Sequence, residues 1–404
     1  MSTFQDLKNY IIYSFGSIIY VISFIIPKDE NLWVFGAWFG DKYSDNSKYL
    51  FEYVNNNHPE IRAVWLTKDK KTLKLIKDKK FEVVFSKSVK GYIISLRANV
   101  GVLSTGIDDI IPYTSGKMKI VQLWHGFPNK KLFFDNPKHS LHNLRKLVKI
   151  IYKFFPFLIR DFRNDNLFIA SSNISRELIS IRFNVPNERV KITGFPRLDS
   201  FESKNEKPQI FDFLAELKVK GKKIGIYLPT HRSYDNINYN VSSFLKTNIN
   251  HINTKLKEMG VFLLIKFHYF NINEYKQNCD HIIFIQDQDI NQDIYTILKY
   301  TDFLITDYSS IFFDYLLLNN PIIFFQPDLT EYKKIIDLHY DIDLFPGHKA
   351  NNWDNVIEII EKLFGNNDMY IQERENLRKK AYKYSDSKNS KRVFYEIINE
   401  IKSN

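Results

Sequence analysis

From residue 31 onward the chain alternates short apolar runs with stretches of about helix length, which confines it to a parallel α/β architecture. NLWVFG (31–36), IRAVWLT (61–67), EVVFS (82–86), NVGVLS (99–104), KIVQLW (119–124) and NLFIAS (166–171) are rich in branched or aromatic residues. Runs that are apolar on both faces need cover on both faces, and crossover helices supply it. A charged stretch at 201–210 breaks the series, and KIGIYL (223–228), VFLLIKF (261–267), HIIFI (281–285), DFLIT (302–306) and PIIFF (321–325) begin a second one. At 404 residues the chain exceeds one ordinary core. The expected organisation is an apolar segment over 1–29, an α/β domain over 30–200, a linker at 201–210, a second α/β domain over 211–350, and helices over 351–404 with room to cross back to the first domain.

Residues 301–332, TDFLITDYSSIFFDYLLLNNPIIFFQPDLTEY, are the most specific run. They predict a strand at 303–306, the turn Asp307-Tyr308-Ser309-Ser310, an apolar helix over 311–318 and a strand at 322–325. The first turn of a helix carries unpaired backbone N–H groups and a partial positive charge, and two serine hydroxyls beside it add donors. The pattern points to a bound phosphate or pyrophosphate, with Asp307, Ser309 and Ser310 as the candidate binding residues.

Lys and Arg total 57 against 46 Asp and Glu, a formal charge of +11. An anionic partner fits that excess; so does a Lys/Asn/Ile-rich composition with no partner behind it. The single cysteine excludes an intramolecular disulfide and a cysteine zinc site. No His/Asp/Glu set has metal-ligand spacing, and no glycine-rich phosphate loop or nucleic-acid-binding signature occurs, so neither a metal, a cofactor nor nucleic acid is expected. Residues 10–26 (YIIYSFGSIIYVISFII) carry no charge. This run is at the lower edge for a spanning helix, and it can lie on a membrane, cross it, or pack on the domain; its tyrosines and serines favour the surface placement. Within 138–163, Arg145, Lys146, Lys149, Lys153, Arg160 and Arg163 are interleaved with Leu, Ile and Phe. That is the pattern of an amphipathic insertion for an anionic membrane surface, or of an ordinary covering helix with solvated lysines.

Several polar residues fall at the C-terminal ends of expected strands, where open α/β sheets bind ligands. His125 and Gly126 follow KIVQLW, and a histidine there is suited to accept a proton near neutral pH or to cap the strand. Arg197, in Gly194-Phe195-Pro196-Arg197-Leu198-Asp199, can fork to a phosphate or pair with Asp199. Arg232 and His268 end two strands of the second series as candidate phosphate ligands. Asn46, in Asp45-Asn46-Ser47-Lys48, either faces the site or belongs to a cap for a helix starting near Tyr49.

Taken in order, these motifs resemble the CDP-glycerol glycerophosphotransferase family of teichoic-acid and capsule enzymes. The likeness runs through Asp45-Asn46-Ser47-Lys48, Trp65-Leu66-Thr67-Lys68, QLWHG (122–126), Gly194 with Pro196-Arg197 and Asp199, LPTHR (228–232), His268, ITDYSSIFFDYLLLNNPIIFF (305–325) and Asp328 to Tyr332. It implies a GT-B-like fold of two Rossmann-like parallel-sheet domains facing a central cleft, with C-terminal helices. It further implies transfer of glycerol phosphate, or a related polyol phosphate, from CDP-glycerol or a related CDP-polyol to a hydroxyl of a lipid-linked glycan or growing polymer, releasing CMP. In such a family His125 is the base, and His268 with Arg232, Asp307, Ser309 and Ser310 holds the donor, while Gly126, Asn46, Arg197 and Asp199 lie toward the acceptor. The implied location is peripheral, on the cytoplasmic face of the cell membrane. Members commonly carry a small hydroxyl residue where Phe127 stands, a proline where Tyr269 stands and a tryptophan where His231 stands, changes that bear on acceptor and polyol. A GT-B glycosyltransferase using a nucleotide sugar is the alternative enzyme, and a membrane-bound scaffold with a decayed site is the alternative class.

Overall fold

Among the described residues of the computed structural model every strand ladder is parallel, and the ladders form two sheets. The structure describes residues 14–137, 156–163, 166–202, 210–230, 241–267, 279–335, 337–365 and 368–402. Two compact units result: Met1–His125, Leu132–Glu202 and Lys383–Asn404 form one, and Gly126–Lys131 with Ser203–Tyr382 form the other.

The first unit is built on β1 (Asp29–Phe35), β2 (Arg62–Thr67), β3 (Val83–Phe85), β4 (Ala98–Leu103), β5 (Lys119–Gln122), β6 (Leu167–Ala170) and β7 (Val190–Ile192), in the order β3-β2-β1-β4-β5-β6-β7. The chain winds outward one way from β1 and then restarts on its other side at β4. Trp33 of β1 lies between Ala63 and Val100 and is fully buried. The expected strands are all present; β1 and β4 begin earlier than expected, at Asp29 and Ala98, and most other ends fall a residue or two short. β7 has no counterpart among the expected strands because the lysine in Val-Lys-Ile breaks the apolar run.

In the second unit β8 (Lys223–Leu228), β9 (Val261–Ile265), β10 (Ile282–Phe284), β11 (Phe303–Thr306), β12 (Ile322–Phe325) and β13 (His348–Ala350) take the order β10-β9-β8-β11-β12-β13. The reversal falls between β8 and β11. There Gly225 pairs with Phe303, whose ring would stand 2.2 Å from any Cβ at Gly225, so only glycine leaves the ring its place. The helix Trp353–Phe364 buries Trp353, Val356, Ile357, Ile360 and Leu363, one stripe at helical spacing, and Asn352 caps it by accepting the Asn355 N–H at 2.8 Å.

The last helix, Asn389–Lys402, belongs to the first unit. Its start is fixed by Asp199, whose carboxylate accepts the Asn389 N–H (2.9 Å), the Asn389 side-chain amide (2.8 Å) and the Ser390 N–H (2.8 Å). Its body is pinned by Phe394 stacked on His58 and by Arg189 on Glu400.

Helix 14–22 also packs on this unit. Tyr20 is buried against Phe157, and the Ser23 hydroxyl accepts the Gly116 N–H at 2.9 Å. Phe15, Ile18, Val21 and Ile25 remain largely exposed. No helix among the described residues is long and apolar enough to cross a membrane. Of the basic insertion, 138–155 lie outside the described residues. At 156–163, Phe157 is buried, as the covering alternative expects, whereas the Arg160 guanidinium departs from either pattern by turning inward onto the carbonyls of Ser115 and Met118 and the Asn166 side chain.

Removing the cap that Asp199 supplies should cost about 1–2 kcal/mol, the range for losing a strong N-cap. Asp199→Ala is expected to lower the thermal midpoint and expose the C-terminal helix to limited proteolysis; an unchanged cleavage pattern at that helix would refute the capping role.

Candidate functional site

In an open α/β sheet the two strands flanking the reversal of order send their following loops in opposite directions, leaving a crevice. In the second unit that crevice lies beyond β8 and β11, and the Asp307-Tyr308-Ser309-Ser310 turn forms one side of it. Asp307 is buried and binds across the reversal: its carboxylate accepts the Thr230 N–H (3.0 Å), the Thr230 hydroxyl (2.5 Å) and the Tyr308 N–H (2.5 Å). Ser309 and Ser310 stay half-exposed at the mouth, and the Ser309 hydroxyl accepts the Ile311 N–H at 3.4 Å. The helix that follows is shorter than expected. It runs from Ile311 to Tyr315 and then dissolves into turns, so the end-of-helix charge is smaller than a full helix would give.

That short helix is anchored at every position that points inward. Asp314 accepts the hydroxyls of Tyr295 and Tyr382, both at 2.5 Å, and Tyr315 meets the Thr301 hydroxyl at 2.9 Å. Phe313 stacks on Phe127 with centroids 4.0 Å apart. Phe127 belongs to the Gly126–Lys131 segment of this unit, which is also held by Asn129 accepting the N–H groups of His339 and Tyr340. The aromatic at 127 is thus a buried packing residue. Arg232 and His268 lie outside the described residues.

The other candidate centre is His125, three residues beyond β5. Trp124 sits at φ +57°, unusual for a bulky side chain, and Gly126 at φ +151°, so the backbone turns sharply on both sides of the histidine. The strain is held by hydrogen bonds: the Trp124 N–H donates to the Gln122 side chain (2.9 Å), and Asn46 donates to the carbonyls of Leu123 (3.3 Å) and Trp124 (2.7 Å). Asn46 also accepts the Arg197 N–H at 3.1 Å. The helix carrying Asn46 starts at Asp45, earlier than expected, which buries Asp45 to Lys48 inside its first turn. Arg197 pairs with Asp45 at 2.8 Å, both buried, and Asp199 is spent on the last helix, so the expected Arg197–Asp199 pair does not form. Asn46, Arg197 and Asp199 are therefore engaged inside the first unit, the first two in holding the His125 loop.

His125 itself is half-buried. Its Nδ1 stands 3.3 Å from the Ser104 carbonyl, and its ring lies beside those of Trp124 (4.1 Å) and Trp38 (5.7 Å). Ser104 begins the loop after β4, at the first unit's own reversal. Two acids there escaped the sequence reading. Asp109, fully buried, accepts N–H groups from Phe39, Ser104, Thr105 and Gly106; burial pushes its carboxyl up to about 6, against the pull of those four donors. Asp161 accepts the Ile107 N–H at 3.1 Å, while its Oδ1 is buried without a hydrogen-bond partner, and burial together with Asp109 and Asp108 pushes it up to about 7. Only the two consecutive aspartates of Gly106-Ile107-Asp108-Asp109 hinted at this; three donors to Asp109 are close in sequence, but Phe39 is 70 residues from it and Ile107 is 54 residues from Asp161.

The family described as CDP-glycerol:poly(glycerophosphate) glycerophosphotransferase matches residues 18–399. The teichoic acid glycerol-phosphate transferase of Staphylococcus aureus is 25% identical over 378 residues, 92% of this chain and 93% of that one. The teichoic acid poly(glycerol phosphate) polymerase of Bacillus spizizenii is 27% identical over 358 residues, 86% of this chain and 87% of that one. Among solved structures, the wall teichoic acid polymerase TagF superposes with a TM-score of 0.74 at 21% identity, covering 99% of this chain and 97% of that chain, which establishes a shared GT-B-like fold.

A carboxyl raised by folding takes up a proton as the chain folds, between the ordinary carboxylate range and its folded value. Its ionisation therefore erodes stability as pH rises toward about 7 for Asp161. Asp161→Asn removes that ionisation, so the variant's thermal midpoint is expected to gain several degrees on the wild type between about pH 5 and about pH 8. An equal gap at both ends of the range would mean that Asp161 ionises normally in the fold.

Proposed function

The chain belongs to the CDP-glycerol:poly(glycerophosphate) glycerophosphotransferase family, and we propose that it transfers glycerol phosphate from CDP-glycerol to a hydroxyl of a lipid-linked glycan or growing teichoic-acid polymer. The family match over residues 18–399 carries this reading. The acceptor oxygen attacks the phosphorus that bears glycerol, the bond from that phosphorus to the bridging oxygen breaks, and CMP departs with the bridging oxygen. The acceptor proton passes to His125. In the tautomer whose Nδ1–H donates to the Ser104 carbonyl, Nε2 carries no proton and is the nitrogen that accepts one. Ser309, Ser310 and the backbone N–H groups of their turn hold the donor phosphates, with Arg232 and His268 as further ligands. Asp307 keeps that turn in place through Thr230. Phosphoryl transfer asks mainly for positioning and charge neutralisation, which hydroxyls, backbone dipoles and cations supply.

The acceptor implies a membrane, and the exposed side chains of Phe15, Ile18, Val21 and Ile25 support peripheral attachment on the cytoplasmic face through the N-terminal segment. Sedimentation with phosphatidylglycerol vesicles tests it: Ile18→Asp with Val21→Asp should leave most of the protein in the supernatant, and undiminished pelleting would remove this segment from the attachment.

The activity is tested by incubating purified protein with a synthetic lipid-linked disaccharide carrying one glycerol phosphate, and with CDP-glycerol or a panel of UDP-sugars. CMP release from CDP-glycerol alone among the donors is expected; UDP release would identify a glycosyltransferase instead. His125→Ala should lower kcat by roughly 10²–10⁴-fold, the usual contribution of a general base. The double variant Ser309→Ala, Ser310→Ala should raise KM for CDP-glycerol by about tenfold, equivalent to losing one charge-assisted hydrogen bond. A folded His125→Ala enzyme with near-normal turnover would falsify the base assignment.

A further inference from the structure

We infer that Asp109 is the positioning residue for His125: by gathering four backbone N–H groups at the strand-order reversal, it aims the Ser104 carbonyl and the Trp38 ring that together hold the imidazole. The inference deepens, and rests on, the reading of His125 as the base.

Asp109 does not touch His125. Its Oδ2 accepts the N–H of Ser104 (2.9 Å), Thr105 (2.6 Å) and Gly106 (3.4 Å), and its Oδ1 accepts the N–H of Phe39 (2.7 Å). The first three belong to the loop after β4 and the fourth to the loop after β1, so one side chain ties the two loops that diverge at the reversal. Phe39 adopts φ +60°, a conformation that needs such an outside hold. Its carbonyl is gripped from the other side by Lys68, whose Nζ reaches both Phe39 O (2.7 Å) and Asp108 O (2.8 Å).

Ser104 is consequently fixed at all three of its polar groups. The N–H goes to Asp109, the hydroxyl meets the Ser47 hydroxyl at 2.7 Å and accepts the Ser47 N–H at 2.9 Å, and the carbonyl faces Nδ1 of His125. Thr105, the next residue, accepts the Trp38 N–H on its hydroxyl at 3.2 Å, which places the Trp38 ring beside the imidazole. A carboxylate can accept four donors on two oxygens, whereas an amide offers one oxygen and turns two N–H donors toward the same crowded N–H groups. The ionisable group interacting with Asp109 is Asp161 on the 156–162 segment, which Asp108 and Arg160 also face, and Lys68 reaches the Asp108 carbonyl. A displacement of about 1 Å in a catalytic group costs as much as 10²-fold in rate, so loosening the Ser104 peptide is a catalytic event although the substrate is never touched.

Asp109→Asn tests this in the full chain with CDP-glycerol and the synthetic lipid-linked acceptor, using CDP-glycerol binding to count the folded fraction. The expected result is a fall in kcat of roughly 10–10²-fold per folded enzyme, with KM for CDP-glycerol changed less than about twofold, and no further loss when the substitution is made in the His125→Ala background. A loss that persists in that background, or an unchanged kcat, overturns the assignment. His125→Ala with normal turnover defeats the base reading and this inference together, so the two failures are told apart. If Asp109→Asn does not fold, Ser47→Ala loosens the same Ser104 peptide from its other side. It should lower kcat about threefold in the His125 enzyme and not in His125→Ala, and no change overturns the inference.

Discussion

Two strand-order reversals govern the chemistry-bearing parts of this molecule, and each is closed by one buried carboxylate. Where adjacent parallel strands send their loops apart, the backbone N–H groups at the strand ends lose their ladder partners and cannot be left bare in a dry interior. Asp109 takes up four of them in the first unit, and Asp307 takes up Thr230 and Tyr308 in the second. Burying a charge is costly, and the raised carboxyl of Asp109 records that cost, but the alternative is several unsatisfied peptide groups at the edge of a site. The loops that carry His125's supports and the paired serines owe their shape to these two side chains.

Around the second reversal, the apolar letters of the Asp307-to-Tyr315 run serve packing more than binding. Phe312, Phe313 and Tyr315 are buried, and Asp314 is satisfied by two tyrosine hydroxyls. A five-residue helix contributes little dipole of its own. Its value lies in being immobile, so that the two half-exposed serines are presented on a fixed turn. The same economy holds at His125, where Gln122, Asn46, Arg197 and Asp45 stabilise a left-handed tryptophan in order to project one histidine.

Much of this was legible in the chain before any coordinates. Eleven strands announce themselves because buried parallel strands must be apolar on both faces. β7 and β13 do not, since Val-Lys-Ile and His-Lys-Ala each carry a lysine mid-strand, whereas the equally short edge strands β3 and β10 are wholly apolar. His125, Ser309 and Ser310 stand out because each follows directly on an apolar strand. Arg197 and Asp199 could be seen to be important but not why: their partners, Asp45 and Asn389, lie about 150 and 190 residues away. Asp109 was invisible as a site residue, because its contacts are to backbone N–H groups, which any sequence supplies.

The sequence by itself therefore determined the α/β class, the two series of strands and the identity of the polar groups set at strand ends, because these follow from local periodicity and from which side chains can carry a phosphate or a proton. Only the tertiary structure decided which acids are supports, how His125 is oriented and where the helix after Ser310 stops. Those outcomes depend on hydrogen bonds closed between distant loops at the points where the strand order reverses, and the energy of such a bond is set by burial and direction, neither of which is written in the order of residues.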